Sequence, residues 1–180
     1  MTTSANRFEI DVNAIRQDAR EQMAHGAVTS GNTADTQRMI EVLNQVVATE
    51  MVCVMRYSQN AIAASGIDRT QVAALFTEHA SEEMNHGLRA AERVSQLGGS
   101  PDFDPATLIV RSHTEYSAPE NTDLEKMIKD NLVAERVVIT TYQEIARWIG
   151  ESDPTTRRLI ESILEEEEAH ADDLNDLLGN

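Results

Sequence analysis

Two Glu-x-x-His segments stand in this chain, Glu83-Met84-Asn85-His86 and Glu167-Glu168-Ala169-His170. Each follows a lone glutamate set in an apolar stretch: Glu50 precedes Glu83 by 33 residues, and Glu135 precedes Glu167 by 32. A half-motif has been used twice. Residues three apart on a helix share a face. A glutamate and a histidine at that spacing can hold one metal ion together while the carboxylate reaches a second. Two such pairs on facing helices, with one more carboxylate from each of two others, make the ligand set of a di-iron or di-manganese centre in a bundle core. Carboxylate oxygens suit Fe, Mn or Mg, and imidazole moves the preference towards Fe, Mn or Zn. Unpaired carboxylates gathered in an apolar interior are costly unless they are protonated or a cation neutralises them.

The competing reading is a set of solvated charges. One Glu-x-x-His in a glutamate-rich chain carries little weight. Here, however, two of the five histidines have a glutamate three residues earlier in an apolar helical context. The run Glu165 to Glu168 cannot all face water either, because successive residues turn by ~100° around a helix. His25 and His113 fall outside the helical stretches and read as surface residues.

Four helices must position these groups. The first is expected over 34–64, starting at Asp35 and stopping by Gly66, with Glu50 on an apolar stripe that includes Leu43, Val46, Val47 and Val54. The second is expected over 68–97, closed by Gly98-Gly99, with Glu83 and His86 on the stripe of Val72, Phe76, Ala90 and Val94. The third is expected over 122–150. Asn121, Thr122 and Asp123 supply capping residues, and Glu135 lies near the face of Leu132, Val138, Tyr142 and Ile145. The fourth is expected over 153–178, with Pro154 in its first turn.

Between the second and third helices, residues 98–121 carry Pro101, Pro105 and Pro119. A connection that long inside a compact domain needs a reason. A helix of 30 residues is ~45 Å long, and some 22 extended residues at ~3.3 Å each can span it. A crossover therefore lets the third helix begin where the second began. The expected fold is all-α: residues 35–180 form a four-helix bundle with one long crossover, and residues 1–34 form an extension. A helix over positions 9–24 of that extension would dock on the body or on a neighbouring subunit.

The formal net charge is −16, which argues against a nucleic-acid partner, since phosphates call for Lys and Arg. No apolar run approaches the ~18 residues that span a bilayer, and the first residues show no apolar leader. A single cysteine, Cys53, excludes an intrachain disulfide and suits a reducing compartment. The expected location is the cytoplasm.

Thr49-Glu50 to Tyr57, Glu82-Glu83-Met84-Asn85-His86, Ala134-Glu135 and Glu167-Glu168-Ala169-His170 resemble bacterioferritin and its mini-ferritin relatives, over about 36–178. The resemblance implies a ferroxidase centre that oxidises Fe(II) with O2 or H2O2 and passes Fe(III) to a mineral inside a hollow homo-oligomeric cage. It implies one half-site of Glu50, Glu83 and His86 and a second of Glu135, Glu167 and His170, with Glu83 and Glu167 bridging. Tyr57 matches a redox-active tyrosine of the family, or is an ordinary core tyrosine. Met84 stands where bacterioferritin has a methionine that ligates haem across a dimer interface. With Met51 and Met55 near it, a methionine-lined subunit contact is the alternative. His79 is an accessory iron residue or a histidine satisfied by its neighbours, and Cys53 reads as packing.

The chain ends ten residues after His170, without the fifth helix of bacterioferritin, and its crossover and N-terminal segment are longer. By that analogy twelve subunits are favoured over twenty-four. Two other functions fit the same residues: a stand-alone di-metal peroxidase or catalase, which would build no mineral, and a haem-binding or structural bundle. Mn or Zn could take the place of Fe at this ligand set.

Overall fold

The structure, a computed structural model, describes residues 8–118 and 123–179. Pro119, Asn121 and Thr122 lie outside the described residues. The regular elements described are all helical. Helix α1 (Val12–Glu21) and a 3-10 turn (Met23–His25) form the N-terminal segment. They are followed by α2 (Thr36–Ala63), α3 (Arg69–Gln96), a short α4 (Leu108–Arg111), α5 (Leu124–Ile149) and α6 (Pro154–Leu177). The four long helices end within two residues of the spans read from the sequence.

Their ends follow local chemistry. Asp35, Asp123 and Asp153 cap α2, α5 and α6, each carboxylate accepting first-turn backbone N–H groups. Gly98 and Gly150, at φ of 84° and 51°, terminate α3 and α5 in a conformation that side chains with a Cβ disfavour.

Short loops make α2–α3 and α5–α6 into helical hairpins, and contacts of α2 with α5 and of α3 with α6 close the two hairpins into a bundle. The crossover runs lengthwise along α2. Asn44 bonds to Ser100 O and to Asp102 N. His113 bonds to Thr49, and Arg56 donates to Thr114 and to the carbonyls of Glu115 and Asp130. His113 is thus half-buried against α2, a correction to its reading as a surface residue. α5 accordingly starts at the end of the bundle where α3 starts.

The apolar interior is split into two clusters. One contains Leu43, Val46, Val47, Val94, Tyr142, Ile160 and Ile163. The other contains Tyr57, Phe76, Met127, Ile128 and Leu174. In α3, α5 and α6 the Glu and His positions fall between the two clusters, and on α2 Glu50 lies near the end of the first. α2 and α3 come close there: a Cβ on Gly87 would lie 3.2 Å from Glu50 Cβ and 2.5 Å from Met51 Cε.

The N-terminal segment is lightly attached. No residue of α1 is buried, and Phe8, Ile10, Val12 and Ile15 are exposed. Val28 and Ala34 pack on the core, and Thr33 N donates to Ser152 O at 3.0 Å. A hollow of about 640 Å³ lies inside this segment, lined by Ala14, Ile15, Met23 and Val28 among others.

Away from the centre, Asp153 joins α3 to the start of α6. It caps Thr156 N at 3.0 Å and pairs with Arg93 at 3.0 and 3.1 Å in the interior. Burial alone would raise its pKa; the bonds from Thr156 and Arg93 outweigh burial and hold it below the ordinary value. A carboxyl held low stabilises the fold above the unfolded-state pKa of ~3.9, and that contribution is lost as pH falls through the lower folded value. Asp153→Asn retains a capping side chain and loses the charge. The expected cost is about 1.5–3 kcal/mol at neutral pH, shrinking towards zero in acid once the pH has fallen below the lowered folded value and both proteins carry a neutral group. Urea unfolding at neutral and at acid pH measures both.

Candidate metal centre

Glu50 comes from α2, Glu83 and His86 from α3, Glu135 from α5, and Glu167 and His170 from α6. Four of these side chains are carboxylates with no exposed surface, yet helix phase brings all six to one level of the core. Of the run Glu165 to Glu168, only Glu167 is buried. The donors form two groups, each with its ligand atoms within 4.8 Å of one another: Glu50, Glu83, His86 and Glu167, and Glu83, Glu135, Glu167 and His170. Glu83 and Glu167 belong to both. The His86 and His170 rings lie 5.8 Å apart at 24°.

His86 Nδ1 faces inward, 2.9 Å from Glu167 Oε1 and 3.4 Å from Glu83 Oε2. His170 Nδ1 faces inward too, 3.5 Å from both Glu83 Oε1 and Glu167 Oε2. The outer nitrogens are held by carboxylates from the opposite half of the chain: His86 Nε2 by Glu166 at 2.9 Å, and His170 Nε2 by Glu82 at 2.8 Å. Such partners fix the ring orientation of a metal-binding histidine. Tyr57 Oη donates to Glu135 Oε1, and Tyr142 Oη donates to Glu50 Oε1, again crosswise between halves.

Glu50 Oε2, both oxygens of Glu83, Glu135 Oε2, Glu167 Oε2 and His170 Nδ1 are buried without a hydrogen-bond partner. Buried polar atoms rarely stay unpaired, and here they point at one place. That fits a pair of cations. Burial, followed by repulsion from Glu167 and Glu83, pushes Glu50 well above the usual carboxyl range. Burial, then Glu83 and Glu167, does the same to Glu135. For the histidines burial works downward, but the carboxylates of Glu167 and Glu83 close beside them prevail, lifting His86 to about 10 and His170 to about 12. Glu83 also feels burial first, and the nearby imidazoles of His170 and His86 pull it below its ordinary value. In the metal-free protein, protons thus occupy places that cations can take.

All six carboxylate and imidazole positions read from the sequence converge. Tyr57 touches the cluster. Met84 does not: it lies on the exposed face of α3, as Met55 does on α2, while Met51 is buried. His79 is buried and stacked on His170 with centroids 4.1 Å apart, and neither of its nitrogens has a hydrogen bond. Buried Cys53 has its thiol pushed up by burial and then by Glu83 and Glu135, as for an unreactive packing residue. Three contributors were missed. Tyr142 follows Glu135 by seven residues just as Tyr57 follows Glu50, and Glu82 and Glu166 each directly precede a motif glutamate. The repeat itself was the signal for all three.

A bundle of two helical hairpins around buried carboxylates is the architecture of one family, and the chain belongs to it: it matches the Ferritin-like domain over residues 40–180. Among its relatives is a bacterioferritin from Desulfovibrio desulfuricans, 30% identical over 143 residues, covering 78% of this chain and 75% of the relative. A DNA protection during starvation protein from Pyrococcus furiosus is 27% identical over 137 residues, covering 76% and 74%. A solved structure, the bacterioferritin-related protein of Bacteroides fragilis described as a dodecameric thioferritin, is 33% identical with a TM-score of 0.79. The alignment spans 82% of this chain and 88% of that one. Among the described residues, no helix is long and apolar enough to cross a membrane.

Proposed function

We propose that this chain is a ferroxidase. It oxidises Fe(II) to Fe(III) at a two-iron centre inside each subunit and delivers the product to a mineral store within a hollow homo-oligomeric cage. The observation that carries this reading is the set of unpartnered buried oxygens on Glu50, Glu83, Glu135 and Glu167, all aimed at one place. Glu50, Glu83 and His86 frame one iron position and Glu135, Glu167 and His170 the other, with Glu83 and Glu167 shared. Iron is the substrate: two Fe(II) give up one electron each. That matches reduction of one O2 with two protons to H2O2, or of one H2O2 with two protons to two waters. Mn(II) and Zn(II) compete for the same donors.

The protein supplies placement and protons. Glu166 and Glu82 hold the outer nitrogens of His86 and His170, which keeps Nδ1 of each ring turned inward. Tyr57 and Tyr142 hold one oxygen of Glu135 and Glu50 and leave the other for a cation. The apolar clusters above and below exclude water. Tyr57 and Tyr142 are also the nearest phenols able to supply an electron.

Likeness to the dodecameric Bacteroides fragilis protein favours twelve subunits over twenty-four. Met84, Met55 and Leu88 leave apolar surface on α2 and α3 that suits a subunit contact, and the resemblance to bacterioferritin makes Met84 the candidate haem ligand there. A Soret band in purified protein, absent from Met84→Ala, tests that role.

The test of the main reading is anaerobic Fe(II) titration of metal-free protein, followed by O2 or H2O2. Binding of at least two Fe(II) per chain, fast oxidation and continued soluble uptake are the expected results. Two irons bound with no further uptake identify a stand-alone di-metal enzyme, and no binding overturns the reading.

A further inference from the structure

The pseudo-two-fold of the centre is broken at its two mouths. A shift of 84 positions carries Glu82, Glu83 and His86 onto Glu166, Glu167 and His170. The same shift carries His79 onto Ile163 and Arg89 onto Asp173. Beside His86 the mouth therefore holds Ile163, fully buried, and Arg89, which donates to Glu166 at 2.8 Å and to Ser162 at 2.8 Å. An aliphatic plug and a guanidinium close that side to cations. Beside His170 the same two places hold His79 and Asp173.

This second mouth is an opening of about 170 Å³ lined by Glu78, His79, Glu82, Glu166, His170 and Asp173, with Ala169 as its apolar member. No Lys or Arg lines it. His79 is 1% exposed and lines the opening, with neither ring nitrogen in a hydrogen bond. Its nearest acidic partner is Asp173 Oδ2, 3.5 Å from Nε2. A buried imidazole without partners is costly to keep, and a ligand that it binds removes the cost. Ligand atoms of His79, Glu82 and His170 lie within 4.8 Å of one another. Imidazole with carboxylate is a donor set for first-row divalent cations. His170 faces both ways, Nδ1 towards the buried carboxylates and Nε2 towards the mouth.

We propose that His79, Glu82 and Asp173, around the outer edge of the His170 ring, form a further divalent-cation site, a loading station on the mouth of the centre that is open to cations. The site is defined by its own donors and binds whether or not the buried centre is intact; only its role in loading rests on the ferroxidase reading.

The probe is Co(II), titrated calorimetrically under anaerobic conditions into metal-free protein, with thermal melts to confirm folding. Wild type is expected to bind about three Co(II) per chain, two in the centre and one at the mouth. His79→Ala with Asp173→Ala is expected to bind one fewer. Glu83→Ala with Glu167→Ala strips the centre and is expected to keep one Co(II), which His79→Ala then removes. Unchanged stoichiometry in the His79 and Asp173 double variant overturns the proposal, as does no binding in the variant lacking the centre. A wild type that binds a single Co(II), lost on His79→Ala, counts against the ferroxidase reading and leaves the mouth site standing.

Discussion

Glu50→Gln should make the metal-free protein more stable and the loaded protein inactive. Glu50 has no exposed surface, its Oε2 has no partner, and its Oε1 accepts from Tyr142. Burial first, and then Glu167 and Glu83, raises its pKa well above the ordinary carboxyl value. The sign follows from linkage. Below the unfolded-state pKa of ~4.3 both states hold the proton and nothing is lost. As pH rises past that value the unfolded chain releases its proton while the folded one keeps it, so the fold loses stability up to the raised folded value. Glutamine has no proton to lose. Its carbonyl can take the Tyr142 bond, and its neutral amide can turn towards Glu83. Between the unfolded value and the raised folded value, each pH unit costs the wild type about 1.4 kcal/mol and the variant nothing. In a chain this long, each 1 kcal/mol moves the melting temperature by about 2–4 °C. The expected gain is several degrees at neutral pH and nothing near pH ~4. Iron oxidation should fall by more than a hundredfold, since even outer partners of metal ligands are worth about 10–100-fold. Stopped-flow oxidation and thermal melts decide it. A lower melting temperature at neutral pH, or oxidation at the wild-type rate, would sink the argument.

Such a trade of stability for chemistry was partly legible in the residues. Spacing becomes facing on a helix, so Glu83 with His86 and Glu167 with His170 identified themselves, and the apolar stripes around Glu50 and Glu135 turned both inward. The long crossover followed from the lengths of the helices it had to span. What escaped was set by interhelical register. Tyr142 sits on an apolar stripe and reads as core; that its hydroxyl reaches Glu50 on α2 depends on how α5 slides against α2. Glu82 and Glu166 fall one residue round from the inward face, where sequence alone suggests solvent. Each instead spans to the histidine of the other half. His79 was readable as a satisfied histidine until its neighbours were placed, and they satisfy neither nitrogen.

Loading the centre should expel protons, and its affinity should climb steeply with pH. In the metal-free protein Glu50 and Glu135 are held protonated, first by burial and then by their acidic neighbours. His86 and His170 stay cationic at neutral pH, at about 10 and about 12, because the carboxylates of Glu167 and Glu83 beside them outweigh burial. Metal ligands must be deprotonated to bind. Each of these four groups therefore gives up one proton when two cations arrive, the histidines from Nδ1, while Glu166 and Glu82 keep the outer N–H bonds. One released proton changes a binding constant by about tenfold per pH unit. The product of the two metal constants should then rise by about a thousandfold or more per unit between pH ~6 and ~8. The melting temperature should rise with it, since ligand at a hundred times its dissociation constant adds about 2.7 kcal/mol. Zn(II) titrations in buffers of different ionisation enthalpy count the protons directly. Release of fewer than one proton per metal, or an affinity flat across that range, would mean that the carboxylates are already ionised and the protons assigned to the empty centre are not there.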